Sequence, residues 1–343
     1  MRGMFVFLGL LLHGVSALAL DEATLPQSFS QLAIPYVNSV DAQVMTAFDG
    51  VKIRYRYFPG TKQALLGTIV VVNGRTEFTQ EYAELLYDLR DSGYGIYIYD
   101  QRGQGESQRL LPDPLKGYVK AYQDYISDLQ QFMETIVFRE QSGDIFILSH
   151  SMGGGVATDY LLLNHPNRIK AMVASSPMFM PTLGVWPINV AVSVLAFEIS
   201  VGKGADYAPG YSESDWQAPF TGNKVTNSEN RYNAMLDLAT TAQERGEVLV
   251  VSSPTVQWAH EAIIMGYEIQ ANGAHLTTPT LILQAGEEKI VDPTLDGWLQ
   301  SVSSSVSVVQ FPDAMHDILM EKDATRNAAI QETLKFFANS HSH

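Results

Sequence analysis

The chain has 343 residues, 46% of them hydrophobic, enough for one large α/β domain or two small ones. Its 22 Lys and Arg against 37 Asp and Glu give a formal net charge of −15, which argues against a nucleic-acid partner and against simple electrostatic docking on anionic lipid. It has no cysteine, which excludes disulfides, thiolate metal sites and a thiol nucleophile.

Arg2 precedes an apolar run from Met4 to Leu12, and Ala17-Leu18-Ala19 places small residues where a signal peptidase cuts. This predicts a signal peptide over residues 1–19 and a secreted or periplasmic protein. The run is short for a membrane span, which needs about 20 residues. The alternative is an uncleaved N-terminal anchor that holds the protein on a membrane. Residues 20–40 read as an irregular arm.

Strand-like runs at Val44–Phe48 and Val51–Phe58 flank Asp49-Gly50, a hairpin signal. Gly67–Val72 reads as a buried strand that ends in Asn73-Gly74-Arg75-Thr76-Glu77. Periodicity over Phe78–Leu89 places Tyr82, Leu85, Leu86 and Leu89 on one helix face. The next strand, Ile96–Tyr99, runs into Asp100-Gln101-Arg102-Gly103-Gln104-Gly105. That loop lacks the Lys-Ser/Thr of a phosphate-binding loop and the G-x-G-x-x-G spacing. It is predicted as a structural turn in which Asp100 and Arg102 hold backbone groups. A helix follows over about 122–138, then the apolar run Ile145–Leu148, a helix to about Asn164 and a strand at Ala171–Ala174.

Strands that are continuous apolar runs, alternating with helices, predict an α/β fold: a doubly wound, mainly parallel sheet with helices on both faces. The alternation breaks after Pro177. Met178–Val201 is rich in large apolar residues but interrupted by Pro181 and Pro187, and helical patterns appear near Asn230–Gln243 and Thr255–Gln270. This predicts a helical cap inserted over residues 178–271, between core segments 20–177 and 272–343. The sheet resumes at Thr280–Gln284 and Val306–Phe311, and a last helix spans about Asp323–Phe337.

The stretch Ser149-His150-Ser151-Met152-Gly153-Gly154 is close to the G-x-S-x-G elbow, a sharp strand-to-helix turn that lifts a serine above a sheet. Gly153 and Gly154 supply the small residues such a turn needs, and Ser149 stands where a glycine is expected. A serine hydroxyl needs a base oriented by a carboxylate, in the chain order Ser, acid, His. His316, just after the last strand, is the candidate base for Ser151. His13, His341 and His343 lie at the ends of the chain, His260 in the cap, and His165 and His275 beside helix and loop. His150 adjoins Ser151, and the sharp turn is expected to point its side chain elsewhere.

The acid should follow Thr280–Gln284, where Glu287, Glu288 and Asp292 compete. Glu288 is preferred because it still lies over the sheet edge. Asp292 is the alternative, placed to cap a helix after Pro293. The backbone N–H groups of Met152 and Arg75 are the candidate oxyanion donors. Glu77 either bonds a substrate hydroxyl or is a solvated charge at a helix start. No spaced His/Glu cluster suggests a metal, and no cofactor is predicted.

Together these stretches resemble the α/β-hydrolase superfamily, and within it the monoacylglycerol lipase and bacterial lysophospholipase branch. The resemblance runs from about Ile53 to Phe337 through residues 73–77, 100–107, 149–154, 175–179, 283–292 and 315–323, and Gln104–Pro114 is especially like lysophospholipases. In this resemblance Glu288, ahead of Lys289-Ile290-Val291, stands where the family carries aspartate. It implies a serine esterase that needs no cofactor, with Ser151, Glu288 and His316 as its triad. Its substrate is a single-acyl-chain lipid, a lysophospholipid or a monoacylglycerol. The cap, particularly its stretch from Leu183 to Ile199, either forms an acyl pocket and makes transient membrane contact or simply packs as core. The alternatives are a small-ester esterase or acyltransferase on the same triad, and a non-catalytic binding protein of the same fold.

Overall fold

The computed structural model describes residues 19–61, 65–164, 166–182, 187–213 and 217–341. The expected signal segment, except Ala19, lies outside them, as do His13, His165, Leu183 and His343. Eight strands form one sheet: β1 Gln43–Thr46, β2 Lys52–Phe58, β3 Gly67–Val72, β4 Tyr94–Tyr99, β5 Ile145–His150, β6 Ile169–Ser175, β7 Thr280–Ala285 and β8 Val306–Phe311. Their order is β1-β2-β4-β3-β5-β6-β7-β8. β1 and β2 form the predicted hairpin, with Gly50 at φ 91° in its turn, and β2 meets β4 antiparallel. The other neighbours are parallel.

Every residue of β3, β4 and β5 is buried, which explains their unbroken apolar runs. The helices are α1 Ala83–Leu89, α2 Gln123–Phe132, α3 Met152–Asn164, α4 Ile188–Ser200, α5 Glu229–Glu244, α6 Val256–Asn272, α7 Thr294–Val302 and α8 Asp323–Asn339. Alternate strand residues face opposite layers: Val70 and Val72 pack with α2 and α3, Ile69 and Val71 with α1 and α8. Three helices, α4 to α6, lie between β6 and β7 in sequence, where the cap was expected.

The arm read as irregular is helical instead, over Glu22–Thr24, Leu25–Ser28, Phe29–Ala33 and Ile34–Asn38. Leu25, Phe29, Ala33 and Val37 recur every fourth residue, all buried against the α1 and α8 layer. Pro26 and Pro35 hide this pattern in the sequence. Pro26 sits in the first turn of the helical run, where no helical N–H bond is lost, and Pro35 opens the last segment directly after the wider turn Phe29–Ala33.

Charged side chains join this arm, the cap and the last helix. Leu20 N–H donates to Asp88 Oδ1 at 3.0 Å, and Arg326 Nη1 holds Asp88 Oδ2 at 2.7 Å. From cap helix α5, the buried Arg231 reaches Glu84 at 2.8 Å, Asp323 at 2.6 Å and the Glu321 carbonyl at 2.7 Å. Arg102 pairs with carboxylates, not with the backbone groups expected: Asp128 at 2.6 Å and Asp49 at 2.8 Å.

Candidate active site

β5 ends at His150 and α3 begins at Met152, so Ser151 occupies the turn between them, at φ 50°. A non-glycine residue in the left-handed region stores backbone strain of about 1–3 kcal/mol. The neighbouring glycines are required by close approach. A Cβ on Gly153 would lie 2.1 Å from the Val72 carbonyl oxygen, and one on Gly154 2.6 Å from Pro177 Cβ. Ser149 fits in place of the expected glycine because its hydroxyl donates to the Val173 carbonyl at 3.3 Å.

Ser151 Oγ lies 2.9 Å from His316 Nε2, and His316 Nδ1 lies 2.7 Å from Glu288 Oε2. The second Glu288 oxygen accepts the backbone N–H groups of Lys289, Ile290 and Val291 at 2.9, 2.7 and 3.2 Å. Burial pushes the Glu288 carboxyl up, yet His316 and these N–H groups outweigh it and hold it below the usual glutamate value. An ionised Glu288 places the imidazole proton on Nδ1 and leaves Nε2 free to accept from the serine. Asp292 instead accepts Thr294 N–H at 3.0 Å and Thr294 Oγ1 at 2.7 Å, at the start of α7.

The loop after β3 is held from behind. Gln101 Nε2 donates to the Asn73 carbonyl at 2.7 Å and Gln104 Nε2 to the Gly74 carbonyl at 2.6 Å. Asp100 clamps the turn that carries both glutamines by accepting Thr79 N–H at 2.8 Å and Glu106 N–H at 2.7 Å. Among the described residues, no protein acceptor takes the N–H of Arg75 or of Met152. Met152 is the first residue of α3, where helix geometry leaves the N–H unpaired.

His150 does not point away from the site, as its place in the turn suggested. Its ring centre lies 4.9 Å from that of His316, and its Nδ1 lies 2.5 Å from Glu77 Oε1. The second Glu77 oxygen accepts Tyr82 Oη at 2.5 Å and Gly74 N–H. Glu77 is therefore a partly buried, internally bonded wall of the cavity and not a solvated charge. Ligand atoms of Glu77, His150 and Asp317 lie within 4.8 Å of one another, a cluster that sequence spacing did not reveal. Burial disfavours charge on His150, but Glu77 and Asp317 outweigh it and push the imidazole up to about 10. The cluster is an ion pair between Glu77 and His150, flanked by the Asp317 carboxylate.

Ser151 and His316 open onto a cavity of about 440 Å³. Its walls are mostly apolar, among them Met178, Val194, Leu195, Trp258, Ile290 and Met320. An apolar cavity with a few convergent polar groups is the usual form of a small-ligand site.

Residues 63–323 match the family model described as serine aminopeptidase, S33. The chain belongs to this serine hydrolase family. Lysophospholipase L2 of Escherichia coli is 33% identical over 311 residues, covering 88% of each chain. Probable lysophospholipase L2 of Haemophilus influenzae is 28% identical and covers 88% of this chain and 94% of its own. A soluble variant of monoglyceride lipase from Saccharomyces cerevisiae, solved with a substrate analog, superposes with a TM-score of 0.69 at 19% identity, over 89% of this chain and 96% of that one. The fold is thus the α/β-hydrolase fold, as the resemblance implied. Within it, sequence reasoning singled out Ser151, His316 and Glu288 but missed the supporting roles of Gln101, Gln104, His150 and Asp317. The paired glutamines of Asp100–Gly105 were the available signal.

Proposed function

We propose that Ser151, His316 and Glu288 are the catalytic triad of a lysophospholipase, with monoacylglycerols as related substrates. Family and relatives make the chain a lipid ester hydrolase. The observation that carries the residue assignment is the hydrogen-bonded chain from Ser151 through His316 to Glu288, set in an apolar cavity.

In this reading Ser151 Oγ attacks the acyl carbonyl carbon while His316 Nε2 takes the serine proton. Charge builds on the carbonyl oxygen, which the N–H groups of Met152 and Arg75 receive. The tetrahedral centre collapses and breaks the ester C–O bond, and His316 returns its proton to the departing glycerol oxygen. Water then gives a proton to His316 and attacks the acyl-serine, and the fatty acid leaves as Ser151 is reprotonated. Glu288 fixes the imidazole tautomer and balances the imidazolium in both halves. The apolar cavity takes up the acyl chain.

Two further parts of the proposal concern place. Val190, Val194, Phe197 and Val201 are exposed by 39, 39, 64 and 53%. Their spacing puts them on one face of α4 and its C-terminal end, and Val194 also lines the cavity. We assign this stripe to lipid contact and residues 1–19 to export.

The test is a panel of lysophospholipids, monoacylglycerols and short esters on purified protein. Wild type should prefer the long single-chain lipids, and Ser151→Ala should lose about 10⁴-fold or more in kcat while still folding. A fluorophosphonate should label Ser151 alone. Full activity in Ser151→Ala would sink the proposal.

A further inference from the structure

Two charged side chains beside the triad face one space without a partner of opposite charge among the described residues. Arg75, Thr76, Glu81, Met235 and Pro254 line both the catalytic cavity and a second cavity of about 330 Å³, so the two chambers share a wall. The other buried arginines of this chain are held by carboxylates or backbone carbonyls, although Arg326 Nη2 also has no partner among the described residues. Arg102, Arg231 and Arg326 meet carboxylates, and Arg109 meets the carbonyls of Gly105, Pro114, Val248 and Leu249.

Arg75 differs. Its guanidinium lies 4.7 Å over the Trp258 ring and one nitrogen donates to the Ser252 carbonyl. Its Nε is buried with no partner, and no carboxylate pairs with it among the described residues. Burial pushes its pKa down to about 10, a penalty that a bound anion would relieve. The fold leaves room for this cation: a Cβ on Gly117 would lie 2.7 Å from Arg75 Nη2. Glu81 is the complement. Its carboxylate has no cationic partner among the described residues, and the Phe78 backbone N–H only partly offsets its burial. Burial and the neighbouring Glu77 and Asp317 carboxylates raise its pKa well above the usual value, a penalty that a bound cation would relieve.

We propose that Arg75 and Glu81 bind a zwitterionic phosphate–ammonium head group in the second cavity, the phosphate on Arg75 and the ammonium on Glu81. This rests on the lysophospholipase reading. With the ester carbonyl at Ser151, the phosphate lies one glycerol unit away, towards the loop whose Arg75 N–H faces the oxyanion. One residue then serves the reaction through its backbone and the head group through its side chain. Arg suits the role because its planar fork matches two phosphate oxygens at once.

The test compares kcat/KM on three palmitoyl lipids in one detergent: lysophosphatidylethanolamine, lysophosphatidylglycerol and monopalmitoylglycerol. Arg75→Gln should lower kcat/KM on both phosphate lipids by about 10-fold or more relative to monopalmitoylglycerol. Glu81→Gln should lower only lysophosphatidylethanolamine, by about 5-fold relative to lysophosphatidylglycerol. Glu81→Lys should reverse the order of those two lipids. If Arg75→Gln fails to fold, the two Glu81 variants decide. Ratios equal to wild type in the folded variants overturn the head-group assignment alone. A wild-type protein inactive on all three lipids overturns the lysophospholipase reading, and this inference with it.

Discussion

Gln104 donates its side-chain amide to the Gly74 carbonyl at 2.6 Å. In a trans peptide the carbonyl and the following N–H point opposite ways, so holding the Gly74 oxygen also aims the N–H of Arg75. One oxyanion donor is worth about 10²–10³ in kcat. Gln104→Leu should therefore lower kcat by about 10–100-fold with little change in KM, because the donor matters most when the oxyanion forms. Steady-state kinetics on a soluble ester measures this, and an unaltered kcat would remove Gln104 from the mechanism.

Glu288 and Asp292 sit in one loop and do different things. Glu288→Gln should lower kcat by about 10⁴-fold, because an amide no longer fixes the His316 tautomer. Asp292→Asn should stay near wild type, since asparagine can still accept the Thr294 N–H and hydroxyl bonds that Asp292 accepts. Circular dichroism on both variants establishes folding. A large loss at Asp292 with Glu288→Gln near wild type would show that the other carboxylate is the acid.

The His150–Glu77 pair predicts a pH dependence of stability. The folded pKa of His150 is raised from 6.5 to about 10. The folded state therefore holds the proton more tightly than the unfolded chain. Its contribution is fully present below pH 6.5 and lost as pH rises through about 10. The melting temperature should fall across that window, and Glu77→Gln should flatten the fall. A variant as steep as wild type would contradict the pairing.

Removal of residues 1–19 would make the Leu20 nitrogen an ammonium, and that nitrogen already lies 3.0 Å from Asp88 Oδ1. Burial, opposed by Arg326, pushes Asp88 up to about 6, and a new cation would bring it down. Protein that begins at Leu20 should melt higher than protein that begins at Ala19, and Asp88→Asn should erase the difference. Intact mass of exported material should show a start at Leu20. Full-length chain recovered from the membrane would favour an anchor.

The core strands were legible because each is a continuous apolar run, buried on both faces. Ser151 was legible because the elbow demands small residues close behind it, here Gly153 and Gly154, and His316 because it follows the last strand. The N-terminal helical turns were not, since Pro26 and Pro35 interrupt their pattern without interrupting the helix. The Glu77–His150 pair was not either. Its members lie 73 residues apart, and only the β3–β5 pairing brings their strand ends together. Glu288 was preferred over Asp292 because it follows the strand closely enough to lie over the sheet edge, and the loop's hydrogen bonds, which residue spacing does not encode, show how it is held there.

The buried Arg231 network has a mechanical consequence. It bolts α5 to α1 and α8 through charges whose separation would strand them in an apolar interior. Helix α4 has no such bolt. It rests on α6 through Leu195, Val256, Ala259 and Ile263, and its one ion pair among the described residues, Glu198 with Lys203, stays inside the cap. The cap is thus a door with one fixed jamb. Its weaker edge is the one that carries Val190, Val194, Phe197 and Val201. On the proposed assignments traffic would run in two directions: the fatty acid along α4 towards lipid, and the freed head group past Arg75 towards water.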